Sequence, residues 1–287
     1  MEPKQWTLEI VPGHADRVGV FKGLVEEIFI TMIPGSPVEN CVQAMREVVE
    51  KGFRPVPHVV ARNFATEAAL TEFFAEVRRL EVPKALLLAG GQSEPAGPFA
   101  STRDLLQTEA FRESGLRTVA VAGHPEGNPD DPQSQESLLH KWEFLCRQDI
   151  AMEIVTQWSF SAENVDAYLE RLASLGLDVP VRVGIPGPAS LKTLLKYAQV
   201  CGVGASTTAL KKQGLNMGRL LVSSKPDKFV ADISRSDRFH LYPFGGLEKC
   251  AQWLQSRRES HTAASTASVA DTQPAGGRDF ARGTKQK

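Results

Sequence analysis

Short runs rich in Val, Ile and Leu recur along the chain, separated by longer stretches of mixed polarity. The runs are WTLEIV (6–11), IFITMI (28–33), RPVPHVV (54–60), KALLLAGG (84–91), RTVAVAG (117–123), MEIVTQW (152–158), VPVRVGI (179–185) and FHLYPF (239–244). Near-continuous apolar runs bounded by Gly and Pro predict strands covered on both faces. The stretches between them repeat apolar residues at helical spacing. SPVENCVQAMREVVEKG offers Ser36 as N-cap, Pro37 at the first helical position, Glu39 in the first turn and Gly52 as a stop. ATEAALTEFFAEVRRLEV places Ala69, Leu70, Phe73, Phe74 and Val77 on one face. SAENVDAYLERLASLGL starts at Ser161 and ends near Gly176, PASLKTLLKYAQVCG follows the same plan, and GLEKCAQWLQS closes the ordered part.

Strands alternating with helices imply a parallel sheet with helical crossovers. Eight such units, in a chain near the length of about 250 residues typical of that fold, predict an α/β protein of the (β/α)8 TIM barrel class. A doubly wound open sheet is the rival, but no GxGxxG follows the first strand. The barrel domain is expected over residues 1–258. From Glu259 onward the chain is rich in Ser, Thr, Ala and Gly, which predicts a disordered tail (259–287) with no catalytic role. GHPEGNPDDPQSQES (123–137) reads as a loop after the fifth strand. Residues 204–238 are an excursion before strand eight, with LKKQGLNMGRLL helical in pattern. Arg219, Lys225 and Lys228 in that excursion read as solvated surface, or as contacts to a ligand's anionic group.

Composition narrows the picture further. The formal charge of -1 gives no electrostatic case for nucleic acid or an anionic membrane as partner. No apolar run reaches the length of a membrane span. The four cysteines, Cys41, Cys146, Cys201 and Cys250, lie far apart without metal-ligand or disulfide-framework spacing. They predict reduced thiols in a cytoplasmic protein, and the start of the chain lacks the apolar segment of a signal peptide. Oligomeric state is not legible, and a homo-oligomer stays open.

Active sites of such barrels sit at the C-terminal ends of the strands. The polar residues placed there are Glu9, His58, Gly90 and Gly91, His124 and Glu126, Gln157, and Tyr242. Glu9 reads as a structural ion pair or as a functional carboxylate, and its strand position favours the second. His58 taken alone reads as a satisfied core histidine. Gln157 suits a heterocycle edge or a hydrogen-bond bridge within the barrel. Gly90 and Gly91 make a tight turn or leave room for a ligand. His124, Glu126 and Lys141 have ordinary surface readings beside functional ones.

With these residues in order, the chain resembles the methylenetetrahydrofolate reductase family from Thr7 to Phe244. TLEIVPG is similar to the family's strand-one motif, in which an apolar strand carries a Glu before a proline turn. PVPHVV resembles the strand-three histidine motif and VAGHPEGNPD the strand-five loop. EIVTQWSFSAENVDAYLERLASLGLDVPVRVGIPGPAS resembles the region from strand six to strand seven. The resemblance implies interconversion of 5,10-methylenetetrahydrofolate and 5-methyltetrahydrofolate, with hydride passing from or to NADH or NADPH. It implies that Glu9 is the general acid that opens the substrate ring by protonating N10, its pKa raised by semi-burial. Gln157 matches the pterin-binding glutamine, with Trp158 or Phe160 packing against the ring and Tyr242 in the substrate site. His58, Gly90, Gly91, His124, Glu126 and Lys141 fall to the cofactor side. One departure stands out: flavin-containing members carry an Arg-Gly-Asp sequence where this chain has Ala89, Gly90 and Gly91. FAD is therefore left open, with direct hydride transfer from nicotinamide as the flavin-independent route. Two alternatives keep the folate but not the reaction: a folate- or pterin-dependent methyltransferase barrel, and a folate-binding subunit without catalysis.

Overall fold

The computed structural model describes residues 5–128, 131–159, 161–200 and 226–270. Its strands are β1 (Gln5–Ile10), β2 (Glu27–Ile30), β3 (Arg54–Val60), β4 (Lys84–Leu88), β5 (Thr118–Gly123), β6 (Ala151–Thr156), β7 (Val181–Pro186) and β8 (Arg238–Tyr242). They pair in chain order, all parallel, and β8 closes on β1. The protein is a (β/α)8 TIM barrel.

The outer helices are α1 (Val38–Glu50), α2 (Glu67–Arg79), α3 (Thr102–Gln107), α4 (Glu109–Arg112), α5 (Ser134–Arg147), α6 (Ala162–Ser174), α7 (Leu191–Val200), α8 (Pro226–Asp232) and α9 (Leu247–Ala270). Residues Pro12–Phe21 and Ala61–Asn63 form 3-10 turns after β1 and β3. Capping explains where several helices begin. Thr66 accepts from the Ala69 amide and Ser161 from the Asn164 amide, and Ser101 with Asp104 forms a reciprocal capping box. Ser36 does not cap α1. Gly35 turns the chain at φ 73°, Pro37 stands at the N-cap position with no side-chain bond, and the helix begins one residue later than the sequence suggests. Helix α5 begins inside the stretch expected to be loop, at Ser134. Helix α9 continues past residue 258 to Ala270, beyond the expected start of the tail. The LKKQGLNMGRLL segment and residues 271–287 lie outside the described residues, as does Phe160.

Alternation along each strand divides the core in two. Leu8, Ile10, Ile28, Ile30, Val59 and Leu87 point outward and pack on Met45, Val48, Phe73, Phe74 and Phe111 from the helices. The inward residues form tiers. At the lower end Glu27, Lys84, Glu153 and Arg182 make a closed ring of alternating charge, each side chain at most 12% exposed. Above them Phe29, Val56, Leu86, Ala120 and Val155 fill the lumen. The tier above that, at the strands' C-terminal ends, is polar.

Candidate active site

Glu9 is the next-to-last residue of β1 and points inward. Its side chain is 18% exposed and lies between two buried histidines. His58 Nε2 from β3 is 3.3 Å from Oε2, and His240 Nε2 from β8 is 3.4 Å from the same oxygen. The His240 contact has hydrogen-bond geometry. The His58 contact is close enough for charge but not aligned as a hydrogen bond, so His58 Nε2 is buried without one. Glu9 Oε1 makes no hydrogen bond among the described residues.

The pKa expected for Glu9 is overturned by these neighbours. Burial does push it upward and is the largest single influence, but the hydrogen bond with His240 and the close approach of His58 together outweigh it. The carboxyl is held down at about 2, so Glu9 is an anion at neutral pH rather than a stored acid. His240 moves the other way from an ordinary imidazole. Burial draws its pKa down against the pull of Glu9, and so keeps it neutral.

A cleft of about 1780 Å³ opens beside this cluster over the ends of β3 to β6. Ala89, Gly90, Gly91, His124, Glu126, Lys141, Gln157 and Trp158 all line it. Glu9, His58 and Tyr242 are not among its lining residues. Tyr242 links the two parts. Its ring meets His240 edge-on at 4.9 Å, and its hydroxyl donates to the Thr156 carbonyl beside Gln157. Gly184 makes room for it, since a Cβ there would lie 2.8 Å from the Tyr242 ring and 2.5 Å from the Thr156 carbonyl.

The other expected residues divide by what they touch. Gln157 Oε1 accepts from the Trp158 amide, and the residue is half-buried at the cleft wall. Trp158 is only 1% exposed, packed on Phe244 at 5.2 Å and on Ala198, so its indole belongs to the barrel's own aromatic packing more than to a free ring platform. Glu126 accepts from Ser159 at 2.6 Å and braces the loops after β5 and β6. Gly90 needs its glycine: its φ is 108°, and a Cβ would meet Val60 at 2.8 Å. Gly91 faces open space. Lys141 is half-buried on α5 and has no ion pair among the described residues, and burial lowers its pKa against the pull of Asp131. Lys228 is exposed and paired with Asp232, while Arg219 and Lys225 lie outside the described residues.

Four residues here were not singled out from sequence: His240, Thr7, Arg62 and Ser159. Parity alone would have found two of them, because His240 is two residues before Tyr242 and Thr7 two before Glu9. Arg62 follows β3 and donates to the carbonyls of Gly90, Gln92 and Ala100. A guanidinium thus reaches the end of β4, where the sequence itself has Ala89 and Gly91. A second depression of about 620 Å³ lies on the barrel flank, between α6 and the Asp232–Arg235 turn. It is spanned by Asp166 accepting from Ser234 and Arg235. Among the described residues no group of three or more His, Cys, Asp or Glu is arranged to hold a metal ion, and no helix is long and apolar enough to cross a membrane.

No family model matches the chain. Among solved structures it is similar to a Xanthomonas albilineans dihydropteroate synthase in complex with indole-2-carboxylic acid and 6-chloroguanine, at 13% identity, TM-score 0.49, over 91% of this chain and 92% of that one. It is also similar to a Yersinia pestis DHPS with a pterine-sulfa conjugate, at 14% identity, TM-score 0.48, over 91% and 94%. A third is the tetrameric deoxyribose phosphate aldolase from Aeropyrum pernix, at 14% identity, TM-score 0.42, over 87% and 96%. The barrel assignment itself rests on the closed order of the eight strands.

Proposed function

We propose that this barrel is a pterin- or folate-dependent enzyme of one-carbon chemistry, and that its reaction is the methylenetetrahydrofolate reductase interconversion. The observation that carries the reading is the state of Glu9: a carboxylate whose Oε2 lies between two histidines and whose Oε1 is left for a ligand, in a cluster that Tyr242 connects to the Gln157 side of the cleft. Gln157 supplies an amide able to pair with a pterin edge. A proton needed at N10 does not come from a carboxylic acid stored on Glu9. It reaches the substrate through Glu9 from an imidazole, and His58 Nε2 at 3.3 Å is the nearest group placed to hand it on.

The rest of the cleft has room for a dinucleotide such as NADH or NADPH, with the half-buried Lys141 and Arg62 as the cations to face its phosphates. When bound, that group supplies or receives the hydride. A flavin would have to be held without an Arg or Asp at the end of β4.

A second reading has its own support. A carboxylate held near a pKa of 2 is a good anchor for a cationic or N–H-bearing ring even where no ring-opening proton is required. That describes a pterin-dependent methyltransferase barrel. An anaerobic assay on flavin-stripped protein separates the two. 5-Methyltetrahydrofolate formed from 5,10-methylenetetrahydrofolate and NADH or NADPH without FAD supports direct hydride transfer. Product only on adding FAD supports a flavin enzyme with a rebuilt site. Folate binding with no product in either case overturns the reductase reading and leaves the methyltransferase one. Glu9→Gln is expected to lower turnover by about 100-fold or more while folate binding persists.

A further inference from the structure

Thr7 and His240 face each other across the β1–β8 ladder, and both point into the lumen just below Glu9. His240 is completely buried. Its Nδ1 lies 2.9 Å from Thr7 Oγ1 and its Nε2 3.4 Å from Glu9 Oε2. The remaining sides of the ring are closed by Phe29 at 4.7 Å and Tyr242 at 4.9 Å, both edge-on. The charged groups acting on it are Glu9 from β1, His58 from β3 and Arg182 from β7. Arg182 is already tied to Glu153 and Glu27.

This arrangement decides a tautomer. A neutral imidazole has one N–H and one acceptor nitrogen. Glu9, as a carboxylate, can only accept, so the hydrogen must sit on Nε2. Nδ1 is then the acceptor, and the Thr7 hydroxyl gives its one hydrogen to Nδ1 at 2.9 Å in preference to the Phe239 carbonyl at 3.4 Å. The opposite tautomer would set a nitrogen lone pair against the carboxylate.

We infer that His240 is a positioning residue for Glu9, held in its Nε2–H tautomer by the Glu9 carboxylate and seated at Nδ1 by Thr7. It grips Oε2 from one side while His58 stands on the other, and so leaves Oε1 as the oxygen that meets a ligand. The part of this inference that concerns turnover rests on the function proposed above. The tautomer and its hold on Glu9 do not.

The test uses the full chain and the Thr7→Val variant, which keeps shape and removes the hydroxyl, with Thr7→Ser as the conservative control. Long-range proton–nitrogen NMR on histidine-labelled protein is expected to show His240 as the Nε2–H tautomer at pH 7. In Thr7→Val the Nε2–H tautomer should persist, because Glu9 sets it, but the ring loses its anchor at Nδ1 and the Glu9 carboxyl, followed by carbon NMR, should titrate higher. Thr7→Ser should restore the Glu9 titration. A His240 imidazolium, or an Nδ1–H tautomer in the unaltered protein, overturns the inference, as does a Glu9 titration indifferent to Thr7→Val. In the folate assay Thr7→Val should lower kcat about tenfold and leave KM within about twofold, the pattern of a second residue orienting the reacting one. An unchanged kcat beside active wild-type protein also overturns it. Wild-type protein with no turnover counts against the proposed function alone, because the NMR arms then decide the positioning role by themselves.

Discussion

Replacing Lys84 with methionine removes one cation from the closed ring at the lower end of the barrel. Lys84 Nζ lies 2.9 Å from Glu27 and 2.7 Å from Glu153, and Arg182 completes the circuit to both carboxylates. Two positive and two negative charges then cancel in a space almost closed to water. Methionine fills the volume of the lysine stem, so packing is nearly preserved, but two buried carboxylates are left to share one guanidinium. A buried pair broken by loss of one partner costs about 3–5 kcal/mol, because the charge left behind remains desolvated. Domains of this kind are stable by about 5–15 kcal/mol in total, so the variant should lose at least about a fifth of its margin. Equilibrium urea unfolding followed by tryptophan fluorescence and far-UV circular dichroism reads the loss, provided the two transitions coincide. A companion Glu27→Gln/Lys84→Met protein restores neutrality and keeps the Arg182–Glu153 pair. It should recover more than half of the loss, since the two sites are in contact and their effects are not additive. A loss below about 1 kcal/mol in the single variant, or a double variant as unstable as the sum of both singles, refutes the reasoning.

Further outcomes follow from the mouth of the barrel. Glu9, with its pKa brought from 4.5 to about 2, contributes about 3 kcal/mol of stability above pH 4.5 that disappears as pH falls toward 2. The lowered pKa of His240 also makes the unfolded chain bind its proton first, so stability falls with acid there too. Glu9→Gln should therefore flatten the pH dependence of unfolding between pH 4.5 and 2.5, and an unchanged slope would count against the cluster. Gly184→Ala should destabilise by about 1–3 kcal/mol through its clash with the Thr156 carbonyl and the Tyr242 ring, which a urea titration would detect and a neutral result would contradict. Arg62→Met removes three bonds to the segment after β4. Hydrogen exchange across residues 90–101 should speed up tenfold or more with the barrel strands unaffected, and unaltered protection would show that Arg62 does not hold that segment.

Some expectations failed at strand ends in one consistent direction. The pattern of IFITMI, KALLLAGG, MEIVTQW and FHLYPF predicts strands to their last residue, yet the ladders stop at Ile30, Leu88, Thr156 and Tyr242. The surplus residues, among them Ala89, Gly90, Gly91, Gln157 and Trp158, begin the loops that line the cleft. All but Gln157 are apolar or small, and an apolar pattern does not distinguish a continuing strand from a loop that borders a cleft.

The sequence by itself determined the barrel, because apolar runs of strand length alternating with helical periods admit few other architectures. It also placed Glu9, His58 and Gln157 at the C-terminal ends of their strands, since position along a strand is a local property. Only the tertiary structure decided the ionisation of Glu9. That depends on whether burial or two imidazoles prevail, and one of those imidazoles, His240, is 231 residues away in the chain and becomes a neighbour only when β8 closes on β1. The same closure joined Lys84, Glu27, Glu153 and Arg182 into one ring and brought Arg62 to the end of β4. Charge pairing in a barrel lumen is set by strand register and closure, and neither is written in any single stretch of sequence.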